Sequence, residues 1–527
     1  MHLVLLALLV GLGPLASFTQ EPSRETADRF AKALKNLGAD DYQDREAASA
    51  EINALPADAL ALIEAELNKA DLEAEVRSRL ERSLSLFRVK AKKTASARKK
   101  AASMEWTQKT VVAAYEEVGR KDAKWDAKVR EALPLVALSW EASATIAQSK
   151  RAFDLTGEAM DAGCDDPIVA YAHARMYGST LRKDPAEEAR LHVDAAKAMK
   201  ARGARYHEIR QAFCFARAAE MLSRSKKTLA DEDQQQIGEW LELALSRLGE
   251  GSADAGVPET LLRDIADSMT GTGMILTRDR KVWFQKVFDA LTKARPESPV
   301  PLLVKGRVYT DYAWDARGQG YANTVTPDGW KRMADRLSEA EKALTAAWKL
   351  RPDDPEAPTQ MLVVELGQGR GRQVMETWYQ RAMRADPDNR EAVRKKMYYL
   401  EPKWHGSAEA MLAFGRELLA GGNWDASLPY ELVSAHLTLA GYEDSPDAYY
   451  KNDAVWQDVK AVYDRALKRA PEATRDRSYF AKLACWCGHW KEAKAQFDRL
   501  GERVDVQVFA DADEMNRLRS EAAEKGK

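Results

Sequence analysis

The hydrophobic pattern between Ser338 and Ala392 repeats itself and predicts helices. Small and apolar residues recur three and four positions apart up to Pro352, and the pattern returns 35 positions later up to Pro387. This spacing places the apolar residues on one face of a helix. A helix that ends in proline at a period of about 35 residues predicts stacked helical hairpins, because one hairpin cannot bury its apolar face alone.

The same helix-end pattern occurs elsewhere in the chain. It precedes Pro167, Pro296 and Pro471, with a small residue or a leucine five positions before each proline. A small residue there lets a partner helix approach, and the proline stops one hairpin before the next begins. Alternating β-branched runs with hairpin turns are missing from the sequence. We therefore expect an all-α chain in which residues 106–527 form an α-solenoid.

These helix ends resemble those of tetratricopeptide-repeat proteins. The small and aromatic packing positions of that family correspond here to Ala340, Ala347 and Pro352, to Tyr379, Ala382 and Pro387, and to Tyr463, Ala466 and Pro471. The chain departs from the family pattern because the usual Trp-x-x-Leu-Gly start is not evident and only the pair at 338–392 stands in tandem. The resemblance implies an α-solenoid of degenerate tetratricopeptide-like hairpins.

Residues 20–88 show a different helical pattern. An Asp-x-x-x-Arg-Glu-Ala run begins at Asp41 and an Asp-x-Glu-x-Glu-x-Arg run begins at Asp71, each aspartate standing where it would cap a helix. This unit resembles HEAT-like helical hairpins. Residues 89–105 follow as a basic linker or helix that marks a domain boundary. A nucleic-acid or lipid contact is the less favoured interpretation, because no aromatic residue interrupts the basic run.

Residues 1–19 resemble a secretory signal sequence. The apolar run from Leu3 to Leu15 is too short to span a bilayer comfortably, although no basic residue precedes it. We therefore expect an exported protein of the periplasm or cell envelope, with no integral membrane span once the signal is removed. The alternatives are a misassigned start and an uncleaved anchor.

The charge balance narrows the class of partner. The 527 residues include 80 Lys and Arg and 82 Asp and Glu, which gives a formal net charge of -2. This near balance argues against an obligate nucleic-acid binder, which needs an excess of basic residues. We expect a protein or peptide partner and no nucleic acid.

No catalytic or metal-binding constellation stands out in the sequence. It lacks a phosphate-binding loop, a Gly-x-Ser-x-Gly elbow and a His-Glu-x-x-His pair. Cys485 and Cys487 are two positions apart, so on a helix they point to different sides and helix packing is favoured over a metal or redox pair. A disulfide between Cys164 and Cys214 stays open. We expect no enzyme activity, no cofactor and no metal.

Two stretches interrupt the repeat pattern, at residues 309–330 and 398–407. They contain an Ala-Trp-x-x-Arg-Gly segment from Ala313 and a Pro-Lys-Trp-x-Gly-Ser segment from Pro402. Over residues 305–410 the chain resembles an uncharacterised bacterial family of tetratricopeptide-like proteins, to which no activity is assigned. The first stretch predicts a long irregular aromatic loop in place of a short interhelix turn.

Aromatic and basic residues in these two stretches are the best candidates for a partner site, because Trp, Tyr and Arg dominate binding hot spots. The candidates are Trp314, Arg317, Tyr321, Trp330, Lys403 and Trp404. The competing interpretation is that the rings fill a gap opened between repeats. We expect a non-enzymatic exported scaffold or adaptor that binds a protein or peptide through its helical-repeat surface. The alternatives are a glycan-binding or carbohydrate-active α/α protein, whose rings would stack on sugars, and a purely structural spacer.

Overall fold

A computed structural model describes residues 22–140, 144–178, 184–202 and 207–527, apart from residues 68 and 70. Throughout these residues the regular secondary structure is helical and no β-strand occurs, so the all-α prediction is confirmed. The chain divides into two compact units, Met1–Glu105 and Trp106–Lys527. The predicted signal at 1–19 lies outside the described residues.

The described part of the first unit contains three α-helices and the beginning of a fourth. They are α1 (Arg24–Asn36), α2 (Tyr42–Ala54), α3 (Leu60–Leu67) and α4 (Ala74–Thr107). Asp41 caps α2, as predicted, by accepting hydrogen bonds from the amides of Gln43 and Asp44. The same prediction for Asp71 is wrong, because α4 begins only at Ala74. Ile52, Ile63 and Leu80 are fully buried at the centre of this unit. The basic segment 89–105 lies within α4, so it is a helix and not an extended linker.

A π-helical turn (Gln108–Ala113) follows α4, and the second unit continues as a series of helices. In chain order they are α5 (Ala114–Val118), α6 (Asp126–Trp140), α7 (Ile146–Asp161), α8 (Pro167–Tyr177), α9 (Pro185–Arg202), α10 (Glu208–Ser225), α11 (Asp231–Gly251), α12 (Glu259–Thr277), α13 (Arg280–Ala294), α14 (Val300–Arg317), α15 (Pro327–Leu350), α16 (Glu356–Gln368), α17 (Arg372–Ala385), α18 (Arg390–Tyr399), α19 (Ala408–Gly421), α20 (Glu431–Ala440), α21 (Pro446–Tyr450), α22 (Asp453–Arg469), α23 (Thr474–Cys487), α24 (Trp490–Leu500) and α25 (Ala512–Lys525).

These helices pack as a solenoid. In the described part of the second unit, extensive contacts join a helix only to the next helix or to the next but one. Such near-neighbour packing is typical of a stack that grows by adding hairpins. Helices α10, α12, α14, α16 and α18 form one layer, since each contacts the next of this set. The predicted α-solenoid of tetratricopeptide-like hairpins is therefore confirmed.

Proline ends four of the repeat helices as the sequence predicts, but the prediction is wrong for Pro167, because α7 ends at Asp161 before Gly163 with its φ of 96° and Pro167 begins α8. Helices α13, α15, α17 and α22 each stop two residues before a proline. The residues that precede these prolines share one backbone geometry, with φ from -134° to -147° and ψ from 70° to 102°, and they are Arg295, Arg351, Asp386 and Ala470. The pyrrolidine ring disfavours the helical region for the residue before it, so the helix must end there. The small residues Ala347, Ala382 and Ala466 are buried where neighbouring helices meet.

The prediction of a long irregular loop at 309–330 is wrong in its extent. Helix α14 continues to Arg317 and α15 begins at Pro327, so only nine residues leave the α-helices, and these include a short 3₁₀ turn at Ala322–Thr324. Helix α14 extends because its buried stripe continues to Ala313. It ends at Gly318, whose φ of 77° suits glycine. The aromatic residues of this stretch are therefore held mainly on helices.

No helix in the described ranges is both long enough and apolar enough to cross a membrane.

Candidate partner-binding site

A groove opens where α14, α16 and α18 meet the turn that follows α18. Its volume is about 400 Å³, within the range of ligand pockets. We call it the aromatic groove. Its apolar walls are formed by Trp314, Leu362, Val363, Leu366, Tyr398 and Trp404, and its rim includes Glu391, Arg394 and Lys395.

The turn after α18 places Trp404 in this groove. The Trp404 amide donates to the Glu401 carbonyl at 2.9 Å, and the His405 ring contacts the Leu366 carbonyl at 2.9 Å. Gly406 packs so closely against the backbone of Leu400 that a Cβ there would lie 2.1 Å from the Leu400 carbonyl oxygen. The Pro-Lys-Trp-x-Gly-Ser segment is thus a compact turn that needs its glycine.

The aromatic rings of the groove form a connected cluster. The rings of Trp314 and Trp404 meet edge to face with centroids 5.7 Å apart, and Tyr398 meets Trp404 at 5.7 Å. The Arg317 guanidinium lies 5.7 Å from the centroid of Trp314 and 5.6 Å from that of Trp404. Trp330 joins the cluster through Arg317, at 5.8 Å. Distances of this size allow cation–π attraction, which holds the rings in one arrangement.

The rim of the groove is basic. Arg317 donates to the carbonyls of Gly318 and Gly320, at 3.2 and 2.9 Å, and no carboxylate among the described residues pairs with it. Lys403 pairs with Glu401 at 2.9 Å, and this hydrogen bond raises the pKa of the lysine. Arg394 shares the buried Glu431 with another arginine. Lys395 pairs with Glu391 at 3.0 Å. These four basic side chains therefore meet three carboxylates around the opening, and Arg317 is the one that lacks a carboxylate among the described residues.

The structure brings five of the six predicted residues together. Trp314, Arg317, Trp330 and Trp404 share the ring cluster, and Lys403 lies 4.7 Å from the centroid of Tyr398. Tyr321 is 86% exposed in the short turn between α14 and α15. Part of the gap-filling interpretation also holds, because Trp314 and Trp404 are half-buried within the core of these hairpins. That these residues bind a partner stays a prediction.

The groove also has polar atoms that lack a partner. The indole N–H groups of Trp314 and Trp404 are buried and have no acceptor among the described residues. Leaving a buried donor unpaired costs about 1–3 kcal/mol, so such groups are uncommon.

A second and larger cavity lies among helices nearer the start of the second unit, and no sequence pattern predicted it. Its volume is about 780 Å³ and its walls come from α8, α9, α10, α12 and α14. We call it the charged cavity. Its charged lining residues are Arg175, Arg217, Arg224 and Arg307 with Glu188, Glu220, Asp264, Asp267 and Asp311. No local motif marks it, because its ion pairs Arg217–Glu188 and Arg307–Asp267 join residues far apart in the chain.

Among the described residues, no group of three or more His, Cys, Asp or Glu side chains is placed to hold a metal ion. The four cysteines are buried free thiols, so no disulfide joins Cys164 to Cys214 in this structure. Burial raises the pKa of Cys485 to about 12 and of Cys487 to about 11. These thiols pack in helix α23, as their spacing predicts.

No protein-family model matches the chain. No curated protein matches it either. Solved structures that resemble it include a monomeric mutant of IFIT1 with Gppp-AAAA, at 13% identity and a TM-score of 0.32, covering 92% of this chain and 96% of that one. Human IFIT1 dimers with PPP-AAAA and with m7Gppp-AAAA match at 12% identity and TM-scores of 0.31 and 0.32, covering 93% of this chain and 96% and 97% of theirs. These likenesses are too distant to assign a ligand to this chain.

Proposed function

We propose that this protein is a non-enzymatic helical-repeat scaffold that binds a partner protein through the aromatic groove. The occupant that fits is an acidic segment of the partner carrying one large apolar side chain. The observation that supports this most directly is the cluster of Trp314, Trp404 and Arg317 at the mouth of a groove with apolar walls. Buried aromatic anchors surrounded by charged rims are the usual source of binding energy in protein interfaces.

The apolar walls of the groove favour a partner that inserts an apolar side chain. Leu362 and Leu366 are buried, Val363 is half-buried, and Tyr398 is 40% exposed, so the groove offers apolar surface that an inserted side chain would cover. Burying one large apolar side chain contributes about 1.5–3 kcal/mol.

The basic side chains at the rim of the groove favour an acidic partner. Arg317 has no carboxylate partner among the described residues, and Arg394 is 60% exposed although it shares Glu431. Carboxylates on an incoming segment would pair with these guanidinium groups, which favours acidic over basic partners and speeds association at low salt.

A sugar is the less suitable occupant of this groove. Stacking on a sugar ring requires an open aromatic face, but Trp314 and Trp404 meet edge to face and Arg317 lies near both rings. In the described part of the second unit, first and last helices share no extensive contact, unlike the closed ring of an α/α toroid. A peptide therefore fits better than a glycan.

We further propose that residues 1–19 direct export to the periplasm or cell envelope and that the chain belongs with the uncharacterised bacterial tetratricopeptide-like proteins. The apolar N-terminal run and the two shared aromatic segments support these proposals. N-terminal sequencing of the protein from its native cells tests export. A mature protein that starts after the apolar run supports it, and a retained Met1 contradicts it.

The groove is tested with labelled peptides selected from a random display library. Fluorescence anisotropy then compares each selected peptide with versions in which its acids are replaced by lysines or its central apolar residue by alanine. We expect acidic peptides to bind at least about 10-fold more tightly than their lysine versions. Equal binding of both versions would refute the acidic partner.

Two variants connect binding to the groove. Trp404→Ala is expected to weaken peptide binding by at least about 10-fold, and Arg317→Gln is expected to reduce both affinity and its salt dependence. Trp490→Ala is the matched control, since Trp490 is also half-buried in the same unit but lies on α24, away from the groove. Equal losses in the Trp404 and Trp490 variants would show that the effect is structural and would overturn the assignment.

A further inference from the structure

The charged cavity differs from the aromatic groove in its chemistry. Residues of α14 contribute to both, because Arg307 and Asp311 line the cavity and Trp314 lines the groove. These three residues are four and three positions apart and so share one face of the helix. The two sites thus both include α14, but the cavity is lined mainly by charged and polar side chains.

Most charges in the cavity wall pair with one another. Arg217 contacts Glu188 at 2.8 Å and Glu220 at 3.0 Å, and Arg224 contacts Glu220 at 2.7 Å. Arg307 pairs with Asp267 through two hydrogen bonds. These pairs are partly exposed to the cavity and fix its shape, but their charges are already compensated.

One cation is left without a carboxylate. Arg175 donates to the Tyr171 hydroxyl at 3.2 Å and lies 4.5 Å from the centroid of Trp140 and 4.9 Å from that of Phe213. No acidic side chain in the described part of the chain forms an ion pair with it. The rings hold its guanidinium in place, so Arg175 is a preorganised receptor for an anionic group.

One anion of the cavity wall makes no direct ion pair. Asp264 lines the cavity, and no hydrogen bond or ion pair joins its carboxylate to another described residue. Its side chain is open to the cavity yet crowded by the walls, and this crowding raises its pKa against the opposing effects of Arg175 and Arg263. A cationic group placed beside it would add a direct ion pair to the longer-range attraction that Arg175 and Arg263 already supply.

The remaining lining offers a polar nitrogen and apolar surface. His192 is 1% exposed, and its Nδ1 atom has no hydrogen-bond partner among the described residues. Phe213, Ile275 and Val308 add apolar surface to the same cavity. An unpaired buried nitrogen in a cavity wall is a second and independent indication of a ligand, since buried polar groups are rarely left unsatisfied.

The charge balance of the cavity decides the class of ligand. Four arginines face five acidic residues, so the cavity has no excess of positive charge for a nucleic acid or a phosphate. We infer that the charged cavity binds a small amino-acid-type zwitterion, a free amino acid or a di- or tripeptide. Its carboxylate pairs with Arg175 and its ammonium group pairs with Asp264. Its side chain packs against Phe213 and Ile275.

Isothermal titration calorimetry tests this with defined probes. Phenylalanine and the peptides Ala-Phe and Ala-Ala-Phe are titrated into the full chain, alongside N-acetylated and C-amidated forms of each. We expect the free zwitterions to bind, and each blocking group to weaken binding by at least about 10-fold. The amino acid and peptide arms distinguish the two sources, and binding of either supports the inference.

The Asp264→Asn variant connects binding to the cavity. Asparagine keeps the size of the side chain and removes its charge, so we expect weaker binding of the free probes and unchanged binding of the N-acetylated ones. Asp498→Asn, on an exposed part of α24, is the matched control. Circular dichroism confirms that both variants fold. Trp404→Ala is expected to leave zwitterion binding intact, which separates this inference from the proposed function of the groove.

Three outcomes would overturn the inference. They are no heat with any zwitterion at concentrations of about 10 mM, equal binding of blocked and free probes, and equal affinities in the Asp264 variant and the parent protein.

Discussion

Lowering the pH from 7 to 5 is expected to destabilise the second unit through His192. This ring is fully buried beside Phe213, at a centroid distance of 5.7 Å, and it lines the charged cavity. Burial lowers the pKa of His192 to about 3, and the positive charges of Arg217 and Arg175 act in the same direction. The folded protein therefore keeps the ring neutral, whereas the unfolded chain protonates it near pH 6.5.

The sign and size of this change in the free energy of unfolding follow from proton linkage. Because the folded pKa is depressed, the contribution of His192 to stability is fully present above about pH 6.5 and decreases as the pH falls towards the folded value. Each pH unit between the two pKa values corresponds to about 1.4 kcal/mol. Acidification to pH 5 should therefore cost about 2 kcal/mol from this one residue.

Urea unfolding followed by circular dichroism at pH 7 and pH 5 measures the effect. His192→Gln removes the titrating ring and keeps a polar side chain, so the variant should lose about 2 kcal/mol less than the parent between the two pH values. His405→Gln, which removes an exposed histidine whose ring contacts the Leu366 carbonyl in the same unit, is the matched control. Comparing pH differences cancels the cost of the substitution itself.

Two results would refute this reasoning. The first is an unchanged pH dependence in the His192→Gln variant. The second is titration of the His192 ring near pH 6.5 by NMR, which is practical because the chain contains only 7 histidines and substitution assigns each signal.

The remaining predictions concern packing and thiol reactivity. Gly306→Ala should destabilise the protein by about 1–3 kcal/mol, because a Cβ there would lie 2.4 Å from buried Leu344. Gly249→Ala, with nothing within 4 Å, should instead stabilise it by about 0.5–1 kcal/mol. Thermal unfolding tests the pair, and equal shifts would contradict the close packing. Burial raises the pKa of Cys485 and Cys487, so a thiol reagent should label the native protein slowly and the urea-unfolded protein rapidly. Rapid native labelling would contradict this.

The helix ends were predictable because their causes are local. Proline restricts the residue before it, so Pro352 and Pro387 predict where α15 and α17 stop without knowledge of the rest of the fold. The extent of the irregular segment at 309–330 was not predictable in this way. Its glycine and aromatic content suggested a loop, but burial of the α14 stripe extends the helix to Arg317.

The aromatic groove and the charged cavity also differ in whether the local sequence marks them. Trp314 and Trp404 stood out because both lie in aromatic-rich segments, although their contact across the groove required the hairpins between them to stack. The charged cavity gave no local signal. Its ion pairs Arg217–Glu188 and Arg307–Asp267 join residues 29 and 40 positions apart.

The sequence by itself determined the class of fold and its repeating unit. Apolar spacing sets the buried face of each helix, and proline sets its end, since both act over a few residues. Only the tertiary structure decided which charges are paired and which are left open. Arg175 and Asp264 are ordinary surface-type residues in the sequence, and they become wall groups of one cavity, without a direct ion pair, only because α8 and α12 are brought around it by stacking.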